Sequence, residues 1–226
     1  VFSLRIAAFV AAAGIGFATS AGAATITFDS VLDGDSVSTS AVSGVTIVDF
    51  NDQTCGAYTS CTGDFNIVIG DRGGRYAAPY VSAADSDDAT YYMSVPDTDT
   101  SNRGTDRVAV FHLGMTANYF GMLWGSVDRY NTLQFLLGDT IVASFVGNDI
   151  SSLANGNQGI AETNFYVNFF NLPAFDTIRM ISTSFAFETD NHAFGLLPVP
   201  EPGAVSLLTL GLLGLGARRR QQPKLI

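Results

Sequence analysis

Between residues 24 and 198 the chain has no lysine, and its 226 residues include only two histidines, two cysteines and one tryptophan. The missing lysine excludes Lys-Asn and Lys-Asp isopeptide cross-links within that body. With so few histidines, His112 in "RVAVFHLG" and His192 in "ETDNHAFG", there is little to build a nucleophile-base pair from. A Ser-His-Asp arrangement can be drawn from either, but no Gly-x-Ser-x-Gly elbow or His-Glu-x-x-His helix accompanies it. The expectation is a protein that is not an enzyme. Two cysteines cannot complete a four-ligand zinc site, and neither histidine stands at finger-like spacing from them. Positive charge is scarce too: six arginines face twenty acidic residues over 24–198, a net charge of −14. Such a body repels nucleic acid and anionic headgroups and favours solubility and divalent cations.

What is present at the two ends is an address. Arg5, the apolar run from Ile6 to Phe17 and the triplet Ala21-Gly22-Ala23 follow the order of a secretory signal peptide, with cleavage expected after Ala23. The apolar run is shorter than the ~20 residues of a membrane span, which disfavours the alternative of an uncleaved anchor. An exported chain meets an oxidising compartment, so Cys55 and Cys61 in "CGAYTSC" are expected to form a local disulfide, with a pair of buried thiols as the alternative. At the other end, "VPEPGAVSLLTLGLLGLGARRR" places Pro-Glu-Pro before an apolar run at 203–217 and three arginines after it. Fifteen helical residues reach roughly 22 Å, short of the ~30 Å hydrocarbon core. Arg218, Arg219 and Arg220 hold the C-terminus on the cytoplasmic side, and Pro200 and Pro202 keep the preceding segment extended.

Those three features in order resemble the PEP-CTERM sorting signal. The resemblance implies recognition by an exosortase, a membrane cysteine transpeptidase of Gram-negative bacteria that make extracellular polysaccharide. Carried over, Pro200, Glu201 and Pro202 are the recognition motif and Arg218, Arg219 and Arg220 the basic cluster. The implied organisation is a signal peptide at 1–23, a body at 24–197 and a sorting signal at 198–226. A transmembrane helix at 203–217 would anchor the protein before it reaches the cell surface or extracellular matrix. This resemblance says nothing about the body.

In the body, short apolar or alternating runs are separated by Gly, Asn, Asp and Ser, a strand-and-turn pattern. Candidate strands are "TITFD", "GVTIVDF", "FNIVIG", "TYYMSV", "RVAVFHL", "NYFGMLW", "TLQFLLG", "TIVASFVG", "NFYVNFF" and "FDTIRMIS". Leu133–Leu137 and Ile141–Val146 read as a hairpin through Gly138-Asp139. Without a βαβ rhythm or an amphipathic helix, the fold class is all-β, an antiparallel β-sandwich of jelly-roll type. Residues 105–197 are similar to the jelly-roll bodies of many exosortase-dependent surface proteins, which in turn resemble carbohydrate-binding modules.

Two sites are expected. Asp29, Glu188 and Asp190 would converge on a structural Ca²⁺ if the terminal strands run side by side, as the resemblance to carbohydrate-binding modules implies; the alternative is that they make turn and backbone hydrogen bonds. The stretch "DSDDATYYMSVPDTDTSNRGTD" fails as an EF-hand loop, because its glycine and glutamate positions are wrong, and reads as a solvated loop around one strand. For sugar contact, "WGSVDRYN" offers Trp124, Asp128, Tyr130 and Asn131 around a turn, with Tyr76 and Tyr80 as further aromatic faces, against the alternative of core or turn packing. The expected function is that of an exported surface or matrix protein, structural or adhesive, in contact with extracellular polysaccharide. The alternative is a secreted carbohydrate-active enzyme carrying the same signal.

Overall fold

The computed structural model describes residues 23–97 and 107–198. The expected signal peptide and the anchor at 203–217 lie outside the described residues, and among those described no helix is long and apolar enough to cross a membrane. The strands are β1 (Thr25–Thr27), β2 (Val31–Leu32), β3 (Ser38–Thr39), β4 (Thr46–Val48), β5 (Ser60–Gly63), β6 (Asn66–Ile69), β7 (Tyr80–Val81) and β8 (Ser86–Asp87). They continue with β9 (Tyr91–Val95), β10 (Val108–Ala117), β11 (Tyr119–Gly125), β12 (Asn131–Leu137), β13 (Thr140–Val146), β14 (Phe165–Phe170), β15 (Phe175–Ser182) and β16 (Phe187–Gly195).

Every pairing is antiparallel. One sheet runs β1-β14-β11-β16-β9-β6 with β4 also on β16, and the other runs β13-β12-β15-β10-β5. The eight strands from β9 to β16 therefore split four and four, and consecutive strands change sheet except at the β12–β13 hairpin. That hairpin closes through Gly138, whose φ of 57° suits a residue without a Cβ, with Leu137 opposite Thr140.

The two sheets share one apolar core. Phe120, Met122 and Trp124 of β11 and Phe187 and Phe194 of β16 meet Phe111 of β10, Leu133 and Phe135 of β12 and Ile178 and Met180 of β15. In β12 and β15 burial largely alternates, as expected where one face meets the core. In β11 and β16 every residue is buried. The reason is a covering layer: segments 31–40 and 71–90 lie over the outer face of the first sheet, where Val37 and Val81 pack with Leu123 and Tyr166. The acidic stretch read as a solvated loop belongs in part to this layer, since Asp88 is only 2% exposed.

Strand β16 carries the "FETDN" expected on or beside a terminal strand, and it is central, flanked by β11 on one side and by β9 and β4 on the other. Gly121 pairs with Ala193 and Leu123 with Asp190, so β16 carries one extra residue there, a bulge at which Asn191 adopts φ 47°. The bulge lets Asp190 and Asn191 both meet the covering layer, while His192 returns to the core beside Phe50 and Phe120.

Candidate functional site

A cleft of about 560 Å³ opens where β11 ends and β16 begins. Loops 71–77, 126–130, 155–158 and 184–186 form its walls, with Asp71, Arg75, Tyr76, Ser126, Asp128, Tyr130 and Glu188 among the lining residues. Asn164 ties the walls together: its Oδ1 accepts from the N–H groups of Tyr80 and Ser126, and its Nδ2 donates to the carbonyls of Asn157 and Ile160. Gly156, at φ 69°, is required on the opposite wall, because a Cβ there would sit 2.6 Å from Asp128 Oδ1. The Arg75 guanidinium lies over the Phe185 ring at 4.7 Å, and the Tyr130 hydroxyl donates to Phe185 O at 2.6 Å.

Glu188 closes the back of the cleft. Its Oε1 accepts from Ala77 N–H at 3.0 Å and its Oε2 from the Ser126 hydroxyl at 2.9 Å. Both bonds favour the carboxylate, but burial outweighs them and the nearby Asp128 adds to it, pushing Glu188 up to about 7. Burial also raises Asp128 above the ordinary carboxylate range, outweighing the nearby Tyr130 hydroxyl and the Arg129 charge.

Of the four residues expected to contact sugar, Asp128 and Tyr130 line this cleft, and so does Tyr76. Trp124 does not: it is fully buried and stacked on Phe187 at 4.5 Å, because β11 turns it into the core. Asn131 is also fully buried, donating to Ala186 O and accepting from the Ser182 hydroxyl, so it braces the loop behind the cleft. Tyr80 lies outside the cleft and bonds to Asp85.

The expected metal trio is not assembled. Asp29 is exposed beyond the end of β1, which pairs with β14, two strands away from β16. Its carbonyl, not its carboxylate, is engaged, by Asn168 Nδ2. Glu188 serves the cleft wall and Asp190 faces Asp88. Among the described residues no group of three or more His, Cys, Asp or Glu side chains is placed to hold a metal ion.

His192 is enclosed in the core, whereas His112 lines a second, open cavity of about 460 Å³ together with Asp176 and Thr177. His192 is fully buried, with Nδ1 on the Tyr58 hydroxyl and Nε2 on Thr189 Oγ1, both at 2.8 Å, and burial drives it down to about 3. His112 bonds through Nδ1 to Thr177 Oγ1, whose hydroxyl is directed to Asp176, so the imidazole is the donor. Cys55 and Cys61 are joined in a disulfide, and the loop between them delivers Tyr58 to His192.

The body thus ends in an ordered way before the tail. Asn118 clamps the chain just beyond β16, its Oδ1 accepting from Leu197 N–H at 2.7 Å and its Nδ2 donating to Leu197 O at 2.8 Å. Four residues beyond the end of β16 the acidic all-β body meets a Pro-Glu-Pro, apolar and triple-arginine tail, the order of features of a sorting signal. Residues 198–220 match the PEP-CTERM protein-sorting motif, a signal that implies export and processing by an exosortase. No curated protein and no solved structure matches the chain.

Proposed function

We propose that the body is a non-enzymatic surface or matrix module of jelly-roll type that contacts extracellular polysaccharide through the cleft beside Asp128. The jelly-roll reading rests on the strand order, in which β9, β16, β11 and β14 face β10, β15, β12 and β13, the pattern of interleaved Greek keys. The observation that carries the sugar reading is the lining of the cleft: carboxylates at Asp71 and Asp128, the Arg75 guanidinium and the rings of Tyr76 and Tyr130. Carboxylates accept from vicinal hydroxyls, a guanidinium donates to them, and tyrosine rings cover pyranose faces. The net charge of −14 on the body favours neutral glycans over acidic ones.

Titration calorimetry of the protein with neutral exopolysaccharide fragments tests this. Asp128→Asn and Arg75→Ala should each weaken binding about tenfold, the loss of one charge-assisted hydrogen bond. Emission from the lone, buried Trp124 should not respond to saccharide. Wild-type protein that binds no neutral glycan, or variants that bind as the wild type does, would refute the reading.

One observation favours a second reading, that of a carbohydrate-active enzyme: Glu188 is half protonated near neutrality and shares the cleft with Asp128. Against it, both Glu188 oxygens are engaged and the residue is 2% exposed, whereas a general acid must touch the glycosidic oxygen. Release of reducing ends from a polysaccharide, abolished by Glu188→Gln, would establish the enzyme instead.

A further inference from the structure

Asp190 of β16 and Asp88 of the covering segment are 1% and 2% exposed. Asp88 Oδ1 accepts from the N–H and hydroxyl of Thr90, at 2.8 and 2.5 Å. Its Oδ2, and Asp190 Oδ1, have no hydrogen-bond donor, and the two carboxyl groups lie within hydrogen-bonding reach of each other. Ionised carboxylates only accept hydrogen bonds, so two of them meeting in a buried place require something positive between them. Among the described residues no basic side chain is one of the groups that act most on the pair, and the outside charges that do are themselves acidic, Asp33 on Asp88 and Asp49 on Asp190. A third carboxylate stands alongside. Asp33 Oδ1 is fixed by the N–H groups of Asp35 and Val37, and its Oδ2 is turned toward β16, where it accepts from Asn191 Nδ2 at 2.8 Å.

We propose that a hard divalent cation of the Ca²⁺ class binds between Asp88 and Asp190 and clasps the covering segment onto the central strand. The donors are all oxygens, which selects a hard cation over zinc or copper. Two carboxylates do not fill a shell of six to eight, so water and neutral oxygens complete it, and a site of so few charges matches the weak affinities of extracellular calcium modules. Without the cation the pair holds one shared proton: burial raises both groups, the charge of Asp88 raises Asp190 further, and a protonated Asp190 donates to the Asp88 carboxylate. Binding releases that proton to solvent as the cation takes its place.

The test is the thermal unfolding midpoint of the full chain in detergent at pH 7.5, in EDTA and then along a calcium titration. The midpoint should rise saturably, by about 5–10 °C once calcium reaches 100 times its dissociation constant. Asp190→Asn keeps the size of the side chain, and its amide can donate to Asp88 as the shared proton does, so this variant should fold in EDTA yet gain less than about 1 °C from calcium. Asp88→Asn provides the same comparison from the other side of the clasp. A wild-type midpoint unmoved by calcium, or variants that respond as the wild type does, would overturn the proposal.

Discussion

Replacing Glu188 with Gln should stabilise the protein above neutral pH. In the folded state the Glu188 carboxyl is raised from 4.5 to about 7 by burial. The folded protein therefore holds a proton that the unfolded chain has released. Stability from this group is complete below pH 4.5 and is lost as the pH rises through 7. At 1.36 kcal/mol per pH unit the full loss is about 3 kcal/mol. The neutral form is well accommodated: Oε1 keeps the bond from Ala77 N–H, and the Ser126 hydroxyl rotates to accept from a protonated Oε2. Glutamine reproduces that arrangement, its Nε2 donating to Ser126 Oγ. At pH 8 Glu188→Gln should exceed the wild type by up to about 3 kcal/mol, and at pH 4.5 the two should coincide. His192 works in the opposite sense, costing stability as the pH falls from 6.5 toward 3, because the core keeps it neutral. It is present in both proteins, so the difference between their profiles isolates Glu188. Urea unfolding between pH 4.5 and 8 reads that difference; a variant with the slope of the wild type, or less stable than it at pH 8, would show that burial does not raise Glu188.

Two other predictions concern the edges of the body. Cys55 and Cys61 close a loop of sequence separation 6, for which chain entropy gives about 2 kcal/mol. The double Cys→Ala variant should lose that amount in denaturant unfolding, and an unchanged midpoint would mean that Tyr58 alone fixes the loop through His192. Asn118→Ala removes both bonds to Leu197, one residue before the sorting-motif match. The freed strand end adds roughly 3.3 Å of reach per residue released. The processed fraction, read by intact mass from cell envelope and culture fluid, should rise, and an unchanged fraction would mean that the body does not limit access to the motif.

The strands that sequence made legible are those whose apolar residues alternate against a single core. β15 was expected at 175–182 and occupies Phe175–Ser182, and the hairpin turns where Gly138-Asp139 placed it. The central place of β16 was illegible because alternation fails when both faces are buried for different reasons. One face carries Phe187, Thr189, His192 and Phe194 into the core, while the other presents Glu188, Asp190 and Asn191 to a covering layer built from residues far away in the chain. The same covering layer hid the fate of Asp88, which sits in an acidic run of the kind solvent normally holds. In the cleft, Asp128 and Tyr130 were legible from the turn they share, whereas Trp124, the last residue of the expected strand "NYFGMLW", follows the alternative of core packing. Asp71, Arg75 and Glu188 come from separate loops and a strand end, and nothing local in sequence joins them.

One strand therefore carries the core, the cleft and the carboxylate clasp, and its end is the start of the address. β16 finishes at Gly195, the clamp on Leu197 is the last contact described, and the sorting-motif match begins at 198. This spacing has a mechanical consequence. A peptide bond broken at or after Pro200 removes none of the described residues that pair in the two sheets, line the cleft or reach Asp88. It also means that β16 must pair with β11 and β9 before the chain is complete in space, because the strand immediately preceding the tail is the central one of its sheet. Folding draws "FETDNHAFG" into the centre of the sheet and leaves Leu196 and Leu197 between β16 and the start of the motif match.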